Sequence, residues 1–206
     1  MKKSMTITYE VDSGLYVNVT NKCSNRCEFC IRNNGDGAYG SDSLWLEREP
    51  EVGEILESIF SHDLTKYKEI VFCGYGEPAF RLLECRAVAL AVKERCPDMK
   101  VRINTNGHSD LIKKMDTAWM YEGAFDTVSI SLNTPNAKGY NKLCHPVFGE
   151  ISHTALLDLA RRLSGKVPTV MLSVVRETLT EEELEECKRL ADKAGVFLKV
   201  RTYIGG

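Results

Sequence analysis

Strand-like and helix-like segments alternate along most of this chain, and that alternation limits its fold more than any other sequence feature. Short runs rich in β-branched and apolar residues predict strands at residues 15–19, 69–73, 101–104, 127–132, 169–175 and 197–203. Helical patterns separate them at residues 51–60, 82–95, 110–121, 150–163 and 181–194. Strands that are separated by helices predict a parallel sheet with right-handed crossovers, in the α/β class.

The length of the chain decides how far such a sheet can close. A complete eight-unit barrel needs about 250 residues, so 206 residues predict a partial (β/α)6 barrel in a single domain, residues 1–206, or else a doubly wound open sheet. Residues 6–10 and 15–19 are expected to form a short N-terminal hairpin. In both architectures the loops at the carboxyl ends of the strands build the active site.

The net charge and the hydropathy of the chain argue against several classes of function. The balance of 27 Lys+Arg against 29 Asp+Glu gives a net charge of −2, which argues against general nucleic-acid binding but leaves a local basic patch open. The N-terminus has no apolar core of a signal peptide. The longest apolar run, Ala87 to Val92, is far shorter than the roughly 20 residues of a membrane-spanning helix. We therefore expect a cytoplasmic protein without membrane contact, where closely spaced cysteines favour metal binding or catalysis over disulfides.

Three cysteines lie together in the long irregular segment after the strand at residues 15–19. Cys23, Cys27 and Cys30 fall within eight residues, so their thiols can converge on one site. A structural zinc ion needs four protein ligands, and so does a [4Fe–4S] cluster held only by protein. Two interpretations follow: a cluster with one iron left open, or a zinc site completed by a distant residue. The candidates for that fourth ligand are Cys73, Cys144 and His145.

A second loop of unusual composition follows the strand at residues 69–73. It has the sequence Cys73-Gly74-Tyr75-Gly76-Glu77-Pro78. The glycines would let a ligand approach the backbone closely, and the Glu77 carboxylate could bind a cationic amine. The alternative is an ordinary turn between strand and helix.

The two loops together resemble the signatures of the radical S-adenosylmethionine (SAM) superfamily. The resemblance implies that Cys23, Cys27 and Cys30 hold a [4Fe–4S] cluster whose open iron is chelated by SAM. It also implies SAM contacts from Phe29, near the adenine, and from the second loop, near the amino group. The residues of that second loop are Gly74, Tyr75, Gly76 and Glu77, with Tyr75 in place of the family's usual second glycine.

Later strand ends carry weaker matches to the same family. The resemblance implies SAM contacts there from Asn104, Thr105, Asn106, Ser131, Asn133 and Arg176. Each of these residues is also compatible with a plain polar strand end. Segments 18–23, 30–33, 72–78 and 140–144 resemble the TatD-linked radical SAM proteins, a group without an assigned reaction. The length also resembles 7-carboxy-7-deazaguanine synthases and glycyl-radical-enzyme activases, although Tyr75 weighs against both.

The expected activity is therefore reductive cleavage of SAM to a 5′-deoxyadenosyl radical, which abstracts hydrogen from a substrate. Cys144 is a catalytic candidate in a predicted loop, and Arg32, Lys142 and His145 are substrate-binding candidates. The remaining cysteines, Cys73, Cys85, Cys96 and Cys187, are expected to be packing thiols. A flavodoxin or ferredoxin-like reductant is expected.

The open side of a small partial barrel must be closed by something other than this domain. It favours a protein substrate, a nucleotide or nucleic acid, or a homodimer that acts on a small molecule. The alternative of a different class is a zinc- or cluster-binding module without catalysis.

Overall fold

The computed structural model describes residues 2–202, which form one seven-stranded sheet. The strands are β1 (Thr8–Val11), β2 (Gly14–Val17), β3 (Glu69–Phe72), β4 (Lys100–Thr105), β5 (Thr127–Ser131), β6 (Thr169–Val175) and β7 (Phe197–Arg201). Their order in the sheet is their order in the chain. β1 and β2 are antiparallel and all other neighbours are parallel. Across residues 2–202 no ladder joins β7 to β1, so the sheet is open. The predicted partial barrel and its N-terminal hairpin are confirmed.

Seven α-helices accompany the described strands. They are α1 (Val52–Phe60), α2 (Leu82–Arg95), α3 (Ser109–Lys113), α4 (Ala118–Tyr121), α5 (Ala137–Cys144), α6 (Ile151–Leu163) and α7 (Glu181–Ala194). One face of the sheet is apolar and fully buried, as at Ile70, Phe72 and Ile103, and it packs in one core with helix residues such as Ile55 and Leu156. Burial of each such side chain contributes about 1.5–3 kcal/mol. The opposite face is more polar and lines the inside of the partial barrel.

Helix α7 begins and ends where the sequence predicts. Thr180 and Glu183 form a reciprocal capping box, with N–H···O distances of 3.0 and 3.2 Å. Gly195 follows the last turn with φ 69°, the left-handed conformation that glycine adopts most easily.

Two predictions about helices are wrong. The helix expected at residues 110–121 is divided into α3 and α4, because Lys114 adopts φ 56°. The Asp110 carboxylate stabilises this break by accepting hydrogen bonds from the Thr117 amide and hydroxyl, at 2.9 and 2.7 Å.

The second error concerns the segment after β5. Cys144 does not lie in a loop; it is the buried last residue of α5. Asn136 caps that helix by accepting a hydrogen bond from the Gly139 amide at 2.8 Å. Tyr203, the last residue of the predicted final strand, lies outside the described residues. No helix within residues 2–202 is long and apolar enough to cross a membrane.

Candidate functional site

The cysteine loop leaves the sheet after β2 and is fastened to the far end of α5. The Arg26 amide donates to the Cys144 carbonyl at 2.9 Å, and the Glu28 amide donates to the Leu143 carbonyl at 3.1 Å. The Val147 amide returns a hydrogen bond of 2.9 Å to the Ser24 carbonyl. Three backbone bonds therefore hold this loop in place, although it has no regular structure through Cys30.

The three cysteines of the loop are half-buried and unpaired by disulfides. The Asn25 amide donates to the Cys23 Sγ at 3.4 Å, and the Arg32 Nε donates to the Cys30 Sγ at 3.2 Å. Burial, and after it the nearby Glu77 carboxylate, raises the pKa of Cys23 to about 12. The pKa of Cys27 is also raised, first by a hydrogen bond with Cys144 and then by burial.

This donor set fits a thiolate-ligated iron–sulfur cluster. Three soft thiols share one loop, N–H groups already point at two of the sulfurs, and Arg32 lies close enough to interact with all three. Across residues 2–202 no group of three or more Cys, His, Asp or Glu side chains stands in ready-made metal-ligand geometry.

The three residues considered as a fourth zinc ligand lie in different places. Cys144 contacts Cys27, and His145 pairs with Glu28 at 3.2 Å. Cys73 lines the inner cavity, and its role as a packing thiol stays a prediction. Cys85 and Cys187 are confirmed as members of the hydrophobic core.

Gly74 and Gly76 bring the second loop directly against the cysteine loop. A Cβ atom at Gly76 would lie 2.1 Å from the Thr20 carbonyl oxygen, and one at Gly74 would lie 2.2 Å from the Asn18 Oδ1. The Glu77 amide donates to the Lys22 carbonyl at 2.7 Å. The glycines are therefore required for contact between two protein segments, in addition to any approach of a ligand.

The Glu77 carboxylate is buried and accepts hydrogen bonds from three protein groups. Its oxygens accept from the Ala79 amide at 2.9 Å, the Thr105 hydroxyl at 2.6 Å and the Asn106 amide at 2.7 Å. Burial raises the pKa of Glu77, and these hydrogen bonds oppose that change. Glu77 thus joins the second loop to the end of β4, and its contact with the SAM amino group stays a prediction.

Tyr75, which stands where the family has glycine, fastens the outer part of the cysteine loop. Its hydroxyl lies 2.9 Å from the Gly35 carbonyl oxygen and 3.0 Å from that of Gly37. Its ring is buried and meets Trp45 edge-on, with centroids 5.1 Å apart. The segment around Gly35 is therefore held against the second loop.

A buried polar network beneath the cysteine loop was not predicted. His108 places Nδ1 3.1 Å from the Ser24 hydroxyl and Nε2 3.2 Å from the Tyr140 hydroxyl. Asn106 donates to Ser24 at 2.8 Å, and Asn25 donates to Tyr140 at 2.9 Å. Burial lowers the pKa of His108 to about 4, which keeps the imidazole neutral. The only sequence signal was the position of His108 directly after the Thr-Asn-Gly run.

The other predicted residues do not all gather at the two loops. Asn133 is buried and donates to the Cys144 Sγ at 3.4 Å. Ser131 is half-buried at the end of β5. The Arg176 guanidinium pairs with Glu181 and donates to the Leu179 carbonyl, so in this structure it serves the start of α7. Lys142 and His145 are exposed on and after α5.

The inside of the partial barrel contains a cavity of about 600 Å³ that opens beside the two loops. Phe29, Gly74, Tyr75 and Asn104 line it, so four of the predicted SAM-binding residues share one cavity. A cavity of this size is typical of small-molecule sites.

Comparison with known proteins identifies this arrangement. The model of the radical SAM superfamily matches residues 17–191. The chain belongs to the radical SAM superfamily. Members of this superfamily use a [4Fe–4S] cluster and SAM. Family membership therefore favours the open-iron interpretation of the cysteine triplet over the zinc alternative, and the assignment of the individual ligands stays a prediction.

Several known proteins resemble this chain at low sequence identity. A probable GTP 3′,8-cyclase of Methanocaldococcus jannaschii is 22% identical over 192 residues, which cover 92% of this chain and 58% of the cyclase. SuiB of Streptococcus suis, crystallised with SAM, has a TM-score of 0.66 and 16% sequence identity. The match covers 92% of this chain and 38% of the SuiB chain. A radical SAM methyltransferase from Sphaerobacter thermophilus has a TM-score of 0.64 and 18% sequence identity. The match covers 94% of this chain and 57% of the methyltransferase. The chain thus spans less than two thirds of each of these proteins, and the two structures support the fold.

Proposed function

We propose that this radical SAM protein is an enzyme that cleaves SAM reductively and uses the resulting radical to abstract hydrogen from a small molecule. The observation that carries the proposal is the direct packing of the cysteine loop on the Gly74–Glu77 loop at the mouth of the cavity. Two loops that the resemblance assigns to cluster and SAM are thereby neighbours, as the chemistry requires.

When bound, the reduced cluster supplies the electron that splits SAM into methionine and a 5′-deoxyadenosyl radical. The chain's own residues orient and enclose the reactants. Cys23, Cys27 and Cys30 would supply the thiolates, and Arg32 would offset their charge. Phe29 and Tyr75 give the cavity aromatic walls that exclude water.

A nucleotide is the substrate that we favour within the classes left open by the sequence. One relative, which matches 92% of this chain, is named a probable GTP 3′,8-cyclase, and the cavity has a size suited to a nucleotide. A protein substrate, a nucleic acid and a homodimer acting on another small molecule are the alternatives. We also propose membership of the TatD-linked group, on the resemblance of the segments around Cys23, Tyr75 and Tyr140, and a flavodoxin or ferredoxin-like electron donor.

The test is anaerobic reconstitution followed by dithionite and SAM, with 5′-deoxyadenosine measured by mass spectrometry. The native protein should contain about four irons per chain and form the product. Cys27→Ala should lose most of both, whereas Cys96→Ala, a matched change at the end of α2, should retain both. Equal product from Cys27→Ala and native protein would refute the mechanism. One zinc per chain without iron would instead indicate a binding module.

A further inference from the structure

Among residues 2–202, three cationic side chains line the cavity inside the partial barrel. Arg102 comes from β4, and Lys199 and Arg201 come from β7. All three lie on the polar face of the sheet, at positions that alternate with residues of the opposite face. None of them belongs to the cysteine loop or to the loop at Gly74–Glu77.

The acidic groups around this cavity balance only part of that charge. Glu69 pairs with Arg102 at 2.7 Å, and Asp12 is exposed at the rim. Within residues 2–202, neither Lys199 nor Arg201 has a carboxylate within 4 Å. The hydrogen bond that Arg201 does make is to the neutral Ser173 hydroxyl, at 2.6 Å. The cavity wall therefore has unneutralised positive charge.

Each of the two guanidinium groups also has an N–H donor that makes no hydrogen bond to the described residues. The Nε atoms of Arg102 and Arg201 are buried, and neither has a hydrogen-bond partner in the described part of the chain. The pKa of Arg201 is lowered, by burial first and by Arg102 among its neighbours, and that of Lys199 by burial and then by Arg102 and Arg201. These cationic groups repel one another, and a bound anion would relieve the repulsion.

Neutral groups with hydroxyl donors surround the same charges. Tyr9, Tyr16 and Tyr39 line the cavity, and burial raises the pKa of each phenol, so all three are neutral near pH 7. The Tyr16 hydroxyl already lies 3.3 Å from Arg102. Flat aromatic faces beside guanidinium groups suit a ligand that has both an apolar ring and an anionic group.

We infer that this cavity binds the phosphate or carboxylate group of a small-molecule substrate, with Arg201 and Arg102 as its contacts and Lys199 at the open side of the barrel. The inference rests on the proposed function, because it places the substrate of the radical reaction. Arginine is suited to this role because its planar fork can make paired hydrogen bonds to either anion. The chain as a whole has a net charge of −2, so the positive charge of the cavity is a local feature of this site.

The test is calorimetric titration of the anaerobically reconstituted protein, loaded with SAM, using inorganic pyrophosphate in one arm and succinate in the other. The native protein should bind at least one of these anions. Arg201→Gln should weaken that binding about tenfold or more, since it removes a largely desolvated charge. Lys199→Gln should weaken it less, because Lys199 is exposed. Arg189→Gln, a matched change at an exposed position of α7, should leave it unchanged.

Each result of these titrations either supports or overturns the inference. Binding of pyrophosphate alone supports a phosphate-bearing substrate, and binding of succinate alone supports a carboxylate. Binding of neither, or equal binding by native protein, Arg201→Gln and Lys199→Gln, overturns the inference. Thermal unfolding by circular dichroism shows whether Arg201→Gln is folded, and Lys199→Gln on the exposed edge provides the test if it is not. Anion binding without 5′-deoxyadenosine would refute the proposed function alone, whereas 5′-deoxyadenosine without anion binding would refute this inference alone.

Discussion

Alanine at Gly76 should separate the two loops that form the candidate site. The new Cβ would lie 2.1 Å from the Thr20 carbonyl oxygen and 2.8 Å from the Lys22 carbonyl oxygen, whereas such contacts in proteins are essentially never below 3.0 Å. Both obstructing atoms belong to the backbone, so no side chain can rotate away. One loop must therefore move by about 1 Å, which is the difference between 2.1 and 3.0 Å.

The magnitude follows from what that movement breaks. Overpacking of this kind costs about 1–3 kcal/mol. The hydrogen bond of 2.7 Å from the Glu77 amide to the Lys22 carbonyl is lost as well, at about 1 kcal/mol. The free energy of unfolding should thus fall by about 2–4 kcal/mol, which lowers the melting temperature by on the order of 10 °C for a chain of this size.

A matched control is available in the same protein. Gly53 lies in α1, and a Cβ there would meet no atom within 4 Å. Gly53→Ala should therefore raise stability by about 0.5–1 kcal/mol, since alanine favours the helix. The assay is urea denaturation of both variants, together with iron content after anaerobic reconstitution. If Gly76→Ala unfolds within 1 kcal/mol of the native protein and takes up as much iron, the argument from loop contact is wrong.

Three further predictions concern the buried network and a helix end. Tyr140→Phe removes the hydroxyl that accepts from Asn25 and lies beside His108, so two buried groups lose a partner and urea unfolding should show a loss of about 1–3 kcal/mol. Since burial lowers the pKa of His108 to about 4, the folded state resists its protonation. The free energy of unfolding should be highest above pH 6.5 and should fall by about 3 kcal/mol between pH 6.5 and pH 4. A pH series on His108→Gln should show a smaller decrease. Thr180→Ala removes the capping bond to the Glu183 amide and should cost about 1 kcal/mol, whereas an unchanged denaturation midpoint would contradict the capping role.

The parallel sheet was predictable because burial on one of its faces leaves a strong pattern in the sequence. Strand β6 occupies Thr169–Val175, as predicted, since five of its seven residues are buried. Helix α5 was harder to predict, because it is only eight residues long, contains Gly139, and its N-terminus depends on the Asn136 cap. Sequence periodicity therefore identified the longer elements and missed a short helix, although Tyr140 and Cys144 of that helix also belong to the core.

Some residues of the candidate site are continuous in the sequence and could be predicted, whereas others are brought together only by the fold. The cysteine triplet and the Gly74–Glu77 loop could be found because each is continuous in the chain. His108 and Ser24 are 84 positions apart, so their hydrogen bond depends on the packing of distant strand ends. The cavity cations had a visible signal, since Arg102, Lys199 and Arg201 alternate with less polar neighbours on strands that the sequence predicted. That alternation indicates which residues face the inside of a barrel.

The bonds between the cysteine loop and the end of α5 determine when the metal site is completed during protein synthesis. The loop leaves the ribosome well before Val147 and the carbonyls of Leu143 and Cys144, to which it is bonded. Until α5 docks, the three thiols lie in an unsupported segment, open to oxidation. On the proposed function, the cluster should therefore be held stably only after α5 has docked against the loop.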